Sequence, residues 1–122
     1  MEKPKIGSIG WMDITVPDAE NLKSFYAEVV GWKPEPISMG DYNDYAMQGE
    51  DSGVGICHAR GKNDYLPPVW LPYFVVADVD TALASCERLG GKRIGEVRSY
   101  GPTARYCAIQ DPQGAYCVLF QA

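Results

Sequence analysis

The sequence predicts an α+β fold assembled from two copies of a βαβββ module. Internal repetition is the first observation: Val16-Pro17-Asp18 returns as Val76-Ala77-Asp78 after about sixty residues, and self-similarity at a fixed period marks repeated structural units. The second is order. Each of these steps follows an apolar run, Ile9 to Val16 or Trp70 to Val76, and precedes a helical pattern that closes on glycine. The third is that Asp51-Ser52-Gly53 and Pro112-Gln113-Gly114 introduce an apolar strand at corresponding points of the two halves.

In the first helix Asp18 is the N-cap, because its carboxylate can accept from free amides of the first turn, and Glu20 complements the helix dipole. Ala19, Leu22, Phe25, Tyr26, Val29 and Val30 fall at three-and-four spacing and predict one buried stripe, stopped by Gly31. In the second helix Asp78 caps, Val79, Ala82, Leu83, Cys86 and Leu89 make the stripe, and Gly90 or Gly91 ends it. The remaining segments predict strands at 32–38, 42–48, 54–59, 92–97, 104–110 and 115–121, short and bounded by turn residues. Met39-Gly40-Asp41 and Asp111-Pro112-Gln113-Gly114 are turn signals. Module one therefore spans about residues 6–60, a polar, proline-bearing linker about 61–69, and module two about 70–122.

A chain of 122 residues, 46% apolar and 22% charged, has the size and composition of a single folded domain. A net charge of −5 without a lysine/arginine run argues against nucleic-acid binding and against an anionic membrane surface. The sequence has no signal-peptide pattern and no apolar run of about 20 residues, so a cytoplasmic protein is expected. Cys57, Cys86, Cys107 and Cys117 form no CxxC pair and lie in apolar runs, which predicts reduced core thiols. His58, the single histidine, follows Cys57 directly, and strand neighbours point to opposite faces, so the two do not form a catalytic pair.

Several ordered segments make the chain familiar. Ile14-Thr15-Val16-Pro17-Asp18, Phe25-Tyr26 and Gly31-Trp32 resemble the opening of vicinal-oxygen-chelate domains. The run from Pro67 to Tyr73, then Asp78-Val79-Asp80, Leu89-Gly90-Gly91-Lys92 and Asp111-Pro112-Gln113-Gly114-Ala115, resembles the small glyoxalase-related subgroup of that glyoxalase/bleomycin-resistance/dioxygenase superfamily. The resemblance implies a curved mixed sheet around a cleft with the helices on its outer face, a small-molecule ligand, and a homodimer.

It also implies where a divalent ion sits in metal-using relatives, whose histidine, glutamine or glutamate ligands come from the first and last strands of each module. Carried over position by position, these places are Trp11, Cys57, Leu71 and Val118. Three of the four cannot ligate a hard cation, and a lone cysteine suits softer metals. The expectation is no metal and no other cofactor.

Strand alternation then supplies the lining of the cleft: Trp11 with Asp13 and Thr15, Leu71 with Tyr73 and Val75, and Val118 with Tyr116 and Phe120. The expected ligand-binding residues are Trp11, Leu71, Tyr73, Arg105, Tyr116, Val118 and Phe120. Asp13 is the catalytic candidate, because a carboxylate desolvated among aromatic rings suits acid–base work; its competing role is an ion pair with a base such as Arg105, or a place at the rim. Trp11 and Trp70 stack on a planar or cationic ligand or simply pack. Tyr42 and Tyr45 cover the cleft mouth or pack within the sheet. His58 enters the cleft only if the register slips by one. Alternation alone leaves open whether Arg105 or Tyr106 points inward; an inward arginine grips an anion, an outward one makes a rim salt bridge.

The function expected is a glyoxalase-like protein with a degenerate metal site, binding a small carbonyl-bearing or aromatic molecule in an apolar cleft, with metal-free lyase or isomerase chemistry open to it. The alternative is a non-catalytic drug- or metabolite-binding protein of the bleomycin-resistance kind.

Overall fold

The computed structural model describes residues 3–122. Its order is β1 (Ile9–Val16), α1 (Ala19–Val30), β2 (Lys33–Ser38), β3 (Asn43–Gln48), β4 (Gly53–His58), a 3-10 turn (Gly61–Asn63), β5 (Leu71–Val75), α2 (Val79–Arg88), β6 (Lys92–Tyr100), β7 (Ala104–Gln110) and β8 (Tyr116–Gln121). The class is α+β with mixed parallel and antiparallel pairing, as the repeat predicts. Among the described residues no helix is long and apolar enough to cross a membrane.

Two compact units divide the chain. One is Met12–Trp70, the α1 unit; the other joins residues 3–11 to Leu71–Ala122, the α2 unit. The boundary crosses β1, so the first strand begins in the α2 unit. There Gly7, at φ 87°, lets its N–H reach the Val75 carbonyl at 2.7 Å while Val75 donates to Ser8 at 2.9 Å.

In the α1 unit the strands run in the order β2-β3-β4-β1, antiparallel except for the parallel β4–β1 pair. Asp18 caps α1 through the Asn21 N–H at 3.0 Å, and Gly31 closes it at φ 84° with its N–H on the Ala27 carbonyl. Ile14, Ala19, Tyr45, Met47 and Ile56 form the core, with Leu22, Tyr26, Ala27, Trp32 and Trp70 against it. The helical stripe is narrower than its spacing predicts: Phe25, Val29 and Val30 are exposed. A four-stranded face covers only the side of α1 that carries Ala19, Leu22 and Tyr26. Trp70 packs as a core residue, its indole N–H donating to the Tyr26 hydroxyl at 3.1 Å. On the edge strand β2, Pro34 and Pro36 pair with Met47 and Tyr45, and neither offers a donor to a further strand.

The α2 unit repeats the plan as β6-β7-β8-β5, with β5 and β8 parallel. Asp78 caps α2 through both the N–H and the hydroxyl of Thr81, at 2.8 and 2.6 Å. Val79, Leu83, Cys107, Ile109 and Leu119 make its core. Strand β6 runs three residues past its expected end, to Tyr100. All four cysteines are free thiols.

Two outcomes test this account. Leu83, completely buried, leaves a cavity when truncated, so Leu83→Ala should cost about 2–5 kcal/mol in chemical denaturation; a loss below about 1 kcal/mol would contradict the core assignment. The Thr81 bonds hold the Asp78 carboxyl below its ordinary range, and the Arg105 bond does the same for Asp80. Depressed carboxyls stabilise the fold above the unfolded value of about 3.9 and lose that contribution as pH falls through the lower folded value. The melting temperature should therefore drop below about pH 4, and less steeply in Asp78→Asn, which keeps a capping side chain but no titrating group; parallel pH profiles would refute the assignment.

Candidate functional site

Each unit has one sheet face against its helix and one turned away. Functional side chains have to come from the second, because the first is filled with aliphatic packing. In the α1 unit, Ile14, Tyr45, Met47 and Ile56 face α1, which turns Asp13, Thr15, Asp44 and Cys57 away from it. Alternate residues of β1 grow steadily more enclosed: Ile9 is 61% exposed, Trp11 40%, Asp13 9% and Thr15 3%. Asp13 stands opposite Gly55, and Thr15 opposite Cys57.

Asp44, buried like Asp13, is the polar residue that sequence reasoning passed over. Its carboxylate accepts the His58 backbone N–H at 2.9 Å, where the β3–β4 ladder ends. The His58 ring is fixed beside it. Its Nδ1 lies 2.9 Å from the Asn43 carbonyl, which can only accept, so Nδ1 carries the proton; Asp44 Oδ1 is 3.6 Å away. Tyr42 stands edge-on to that ring and carries the Arg60 guanidinium on its face at 4.2 Å. Tyr45 lies in the helix-side core with its hydroxyl donating to Glu20, which raises the phenol and lowers the carboxyl. The signal for Asp44 was present, a charge inside a strand pattern, but Asn43-Asp44 reads as a turn.

Cys57 is half-buried between the two acids. Burial pushes its thiol far up, and the charges of Asp13 and Asp44 and a hydrogen bond to Asp44 push it further. A thiol held protonated is not a ready nucleophile.

In the α2 unit the helix-side face takes Cys107, Ile109, Cys117 and Leu119, and Gln121 accepts the Val79 N–H at 2.8 Å. Turned away are Leu71, Tyr73 and Val75 of β5, Tyr106 and Ala108 of β7, and Tyr116, Val118 and Phe120 of β8. The floor is aliphatic: Leu71 and Val118 are completely or almost completely buried. Above it stand half-buried rings, Tyr73 at 6.2 Å from Tyr106 and 6.3 Å from Phe120. An open groove of about 360 Å³ meets this face at Phe120 and is walled by Lys3, Pro4, Tyr100, Pro102 and Ala104.

The choice between Arg105 and Tyr106 is resolved by α2. Arg105 lies on the helix side, where Asp80 holds its guanidinium through two bonds of 2.8 and 3.2 Å. Tyr106 takes the other face. The arginine on that face is Arg98 of β6, paired with Tyr106 across the ladder and beyond the strand end that the sequence predicts.

The residues at the positions where metal-using relatives hold their ion do not fit one. Trp11, Leu71 and Val118 offer no ligating group to a hard cation, and Cys57 alone is a ligand for softer metals. Among the described residues no group of three or more histidine, cysteine or acidic side chains is placed to hold a metal.

The comparisons agree with this architecture. CFP32 of Mycobacterium tuberculosis (strain CDC 1551 / Oshkosh), provisionally named a glyoxylase, is 30% identical over 120 residues, 95% of this chain and 46% of its own length. The chain thus spans less than half of the curated relatives it matches. A glyoxalase/bleomycin resistance protein/dioxygenase superfamily member from Vibrio splendidus 12B01 superposes with a TM-score of 0.63 at 16% identity, covering 92% of this chain and 97% of the other. The Mn(II)-bound glyoxalase of Novosphingobium aromaticivorans gives 0.59 at 20% identity, over 95% of this chain and 39% of its own. The family model matches residues 8–118, and the chain belongs to the Glyoxalase/Bleomycin resistance protein/Dioxygenase superfamily.

Proposed function

We propose that this protein binds a small aromatic or carbonyl-bearing molecule on the sheet faces turned away from its helices, without a divalent ion, and that Asp13 acts on it as an acid–base group in lyase or isomerase chemistry. The supporting observation is that Asp13 is buried on the face of β1 turned away from α1. Enclosure shields the Asp13 carboxylate from water, and a desolvated carboxylate suits proton abstraction beside a carbonyl. With no ion to polarise that carbonyl, the substrate class narrows to molecules already acidic at the reacting carbon.

A second reading, binding without turnover, draws on the Tyr73, Tyr106 and Phe120 rings, which hold a planar molecule without needing Asp13. From the family resemblance we further propose a homodimer acting in the cytoplasm.

Two measurements decide these points. Elemental analysis of protein purified without chelator should find far less than one equivalent of nickel, zinc, iron or manganese; a stoichiometric metal sinks the metal-free reading. For carbonyl compounds that shift the melting temperature, deuterium uptake from D2O beside the carbonyl should slow by on the order of 100-fold or more in Asp13→Asn, with binding retained. Binding with no exchange, or exchange indifferent to Asp13→Asn, leaves the non-catalytic reading.

A further inference from the structure

We infer that Arg98 selects the ligand's charge: the α2 unit takes a planar aromatic anion, its ring against Tyr73, Tyr106 and Phe120 and its carboxylate or equivalent acidic group on the Arg98 guanidinium. This rests on the reading of that face as the ligand-binding surface and adds the substrate class.

The argument comes from register. Arg98 pairs with Tyr106, Tyr106 with Phe120, and Phe120 with Val75, so these four side chains form one row across β6, β7, β8 and β5. Cross-strand partners share a face, and this row lies on the face turned away from α2. The row holds because β6 is irregular. Ile94 and Arg98 are four residues apart where their partners Ala108 and Tyr106 are two apart, so the ladder absorbs two extra residues and returns Arg98 to the ring-bearing side. Gly95, at φ 74°, lies in the irregular stretch, as does Glu96, the only acidic residue of β6, which is exposed.

Arg98 itself is half-buried and is the cross-strand partner of Tyr106. Arg105 and Arg93 lie on the opposite face of this sheet, toward α2. A guanidinium offers five donors in a planar fork and stacks on aromatic faces, so it grips a carboxylate while its plane extends the aromatic wall. An open groove adjoins the row at Phe120.

The test is isothermal titration of the full chain with three probes of one shape: 2-naphthoate, 2-naphthamide and 2-naphthylmethylammonium. The naphthoate should bind about tenfold more tightly than the amide, as a charge-assisted bidentate contact implies. Arg98→Gln should abolish that preference, Arg98→Lys should keep part of it, and Arg93→Gln, on the helix side, should leave it intact. Should Arg98→Gln fail to fold, the lysine variant decides alone: an undiminished preference overturns the assignment. Equal or tighter binding of the amide or the ammonium probe, or a preference that survives Arg98→Gln, overturns the role of Arg98 while the ligand-binding reading stands. No binding of any probe at millimolar concentration overturns both.

Discussion

The packing of each helix against one face of its own four strands governs everything else in this protein. Once Ile14, Met47 and Ile56 are committed to α1, and Leu83, Ile109 and Leu119 to α2, the two-residue period of a strand leaves no choice about the remaining positions. Asp13, Cys57, Tyr73, Tyr106, Val118 and Phe120 are turned to the other side as a consequence of where the aliphatic residues went. Burying these aliphatics contributes on the order of 1.5–3 kcal/mol each, far more than any single polar contact at the surface. A slip of one residue would exchange the two faces and lose that burial, so the register of the outward-turned face is maintained by the residues packed on the helices.

That face differs in character between the units. In the α1 unit it is polar and acidic, with Asp13 and Asp44 enclosed and Cys57 held as a thiol between them. In the α2 unit it is an aliphatic floor with aromatic walls and an arginine at the end of one row. Metal-using members of the superfamily spend the corresponding strand positions on ion ligands. Here these places carry a tryptophan, a protonated thiol and two aliphatic side chains.

Much of the fold was legible from local signals. The repeated Asp caps, the glycine stops and the turn before each last strand are short-range features whose physics is complete within a few residues, and both helices and all eight strands appear where those signals put them. Boundaries shifted where tertiary pairing extended a strand, as at β6, which continues to Tyr100 because β7 offers it partners as far as Ala104. The α1 stripe was read too wide for a related reason. Spacing shows which residues share a side of the helix, but how much of that side is covered depends on the sheet beneath it.

The candidate site divides along the same line. From the sequence alone came the alternation that sets Trp11, Asp13, Tyr73, Tyr116, Val118 and Phe120 apart from the helix-packed residues, and the absence of ligating side chains at the positions where relatives hold an ion. Both follow from the covalent periodicity of a strand. Only the tertiary structure decided that Arg105 belongs to Asp80 and α2, that Arg98 takes the ring-bearing face, and that Asp44 and His58 close the end of the β3–β4 ladder. Those are long-range pairings whose geometry depends on a helix, a two-residue irregularity and a ladder end, and no local pattern in the chain encodes where such partners meet.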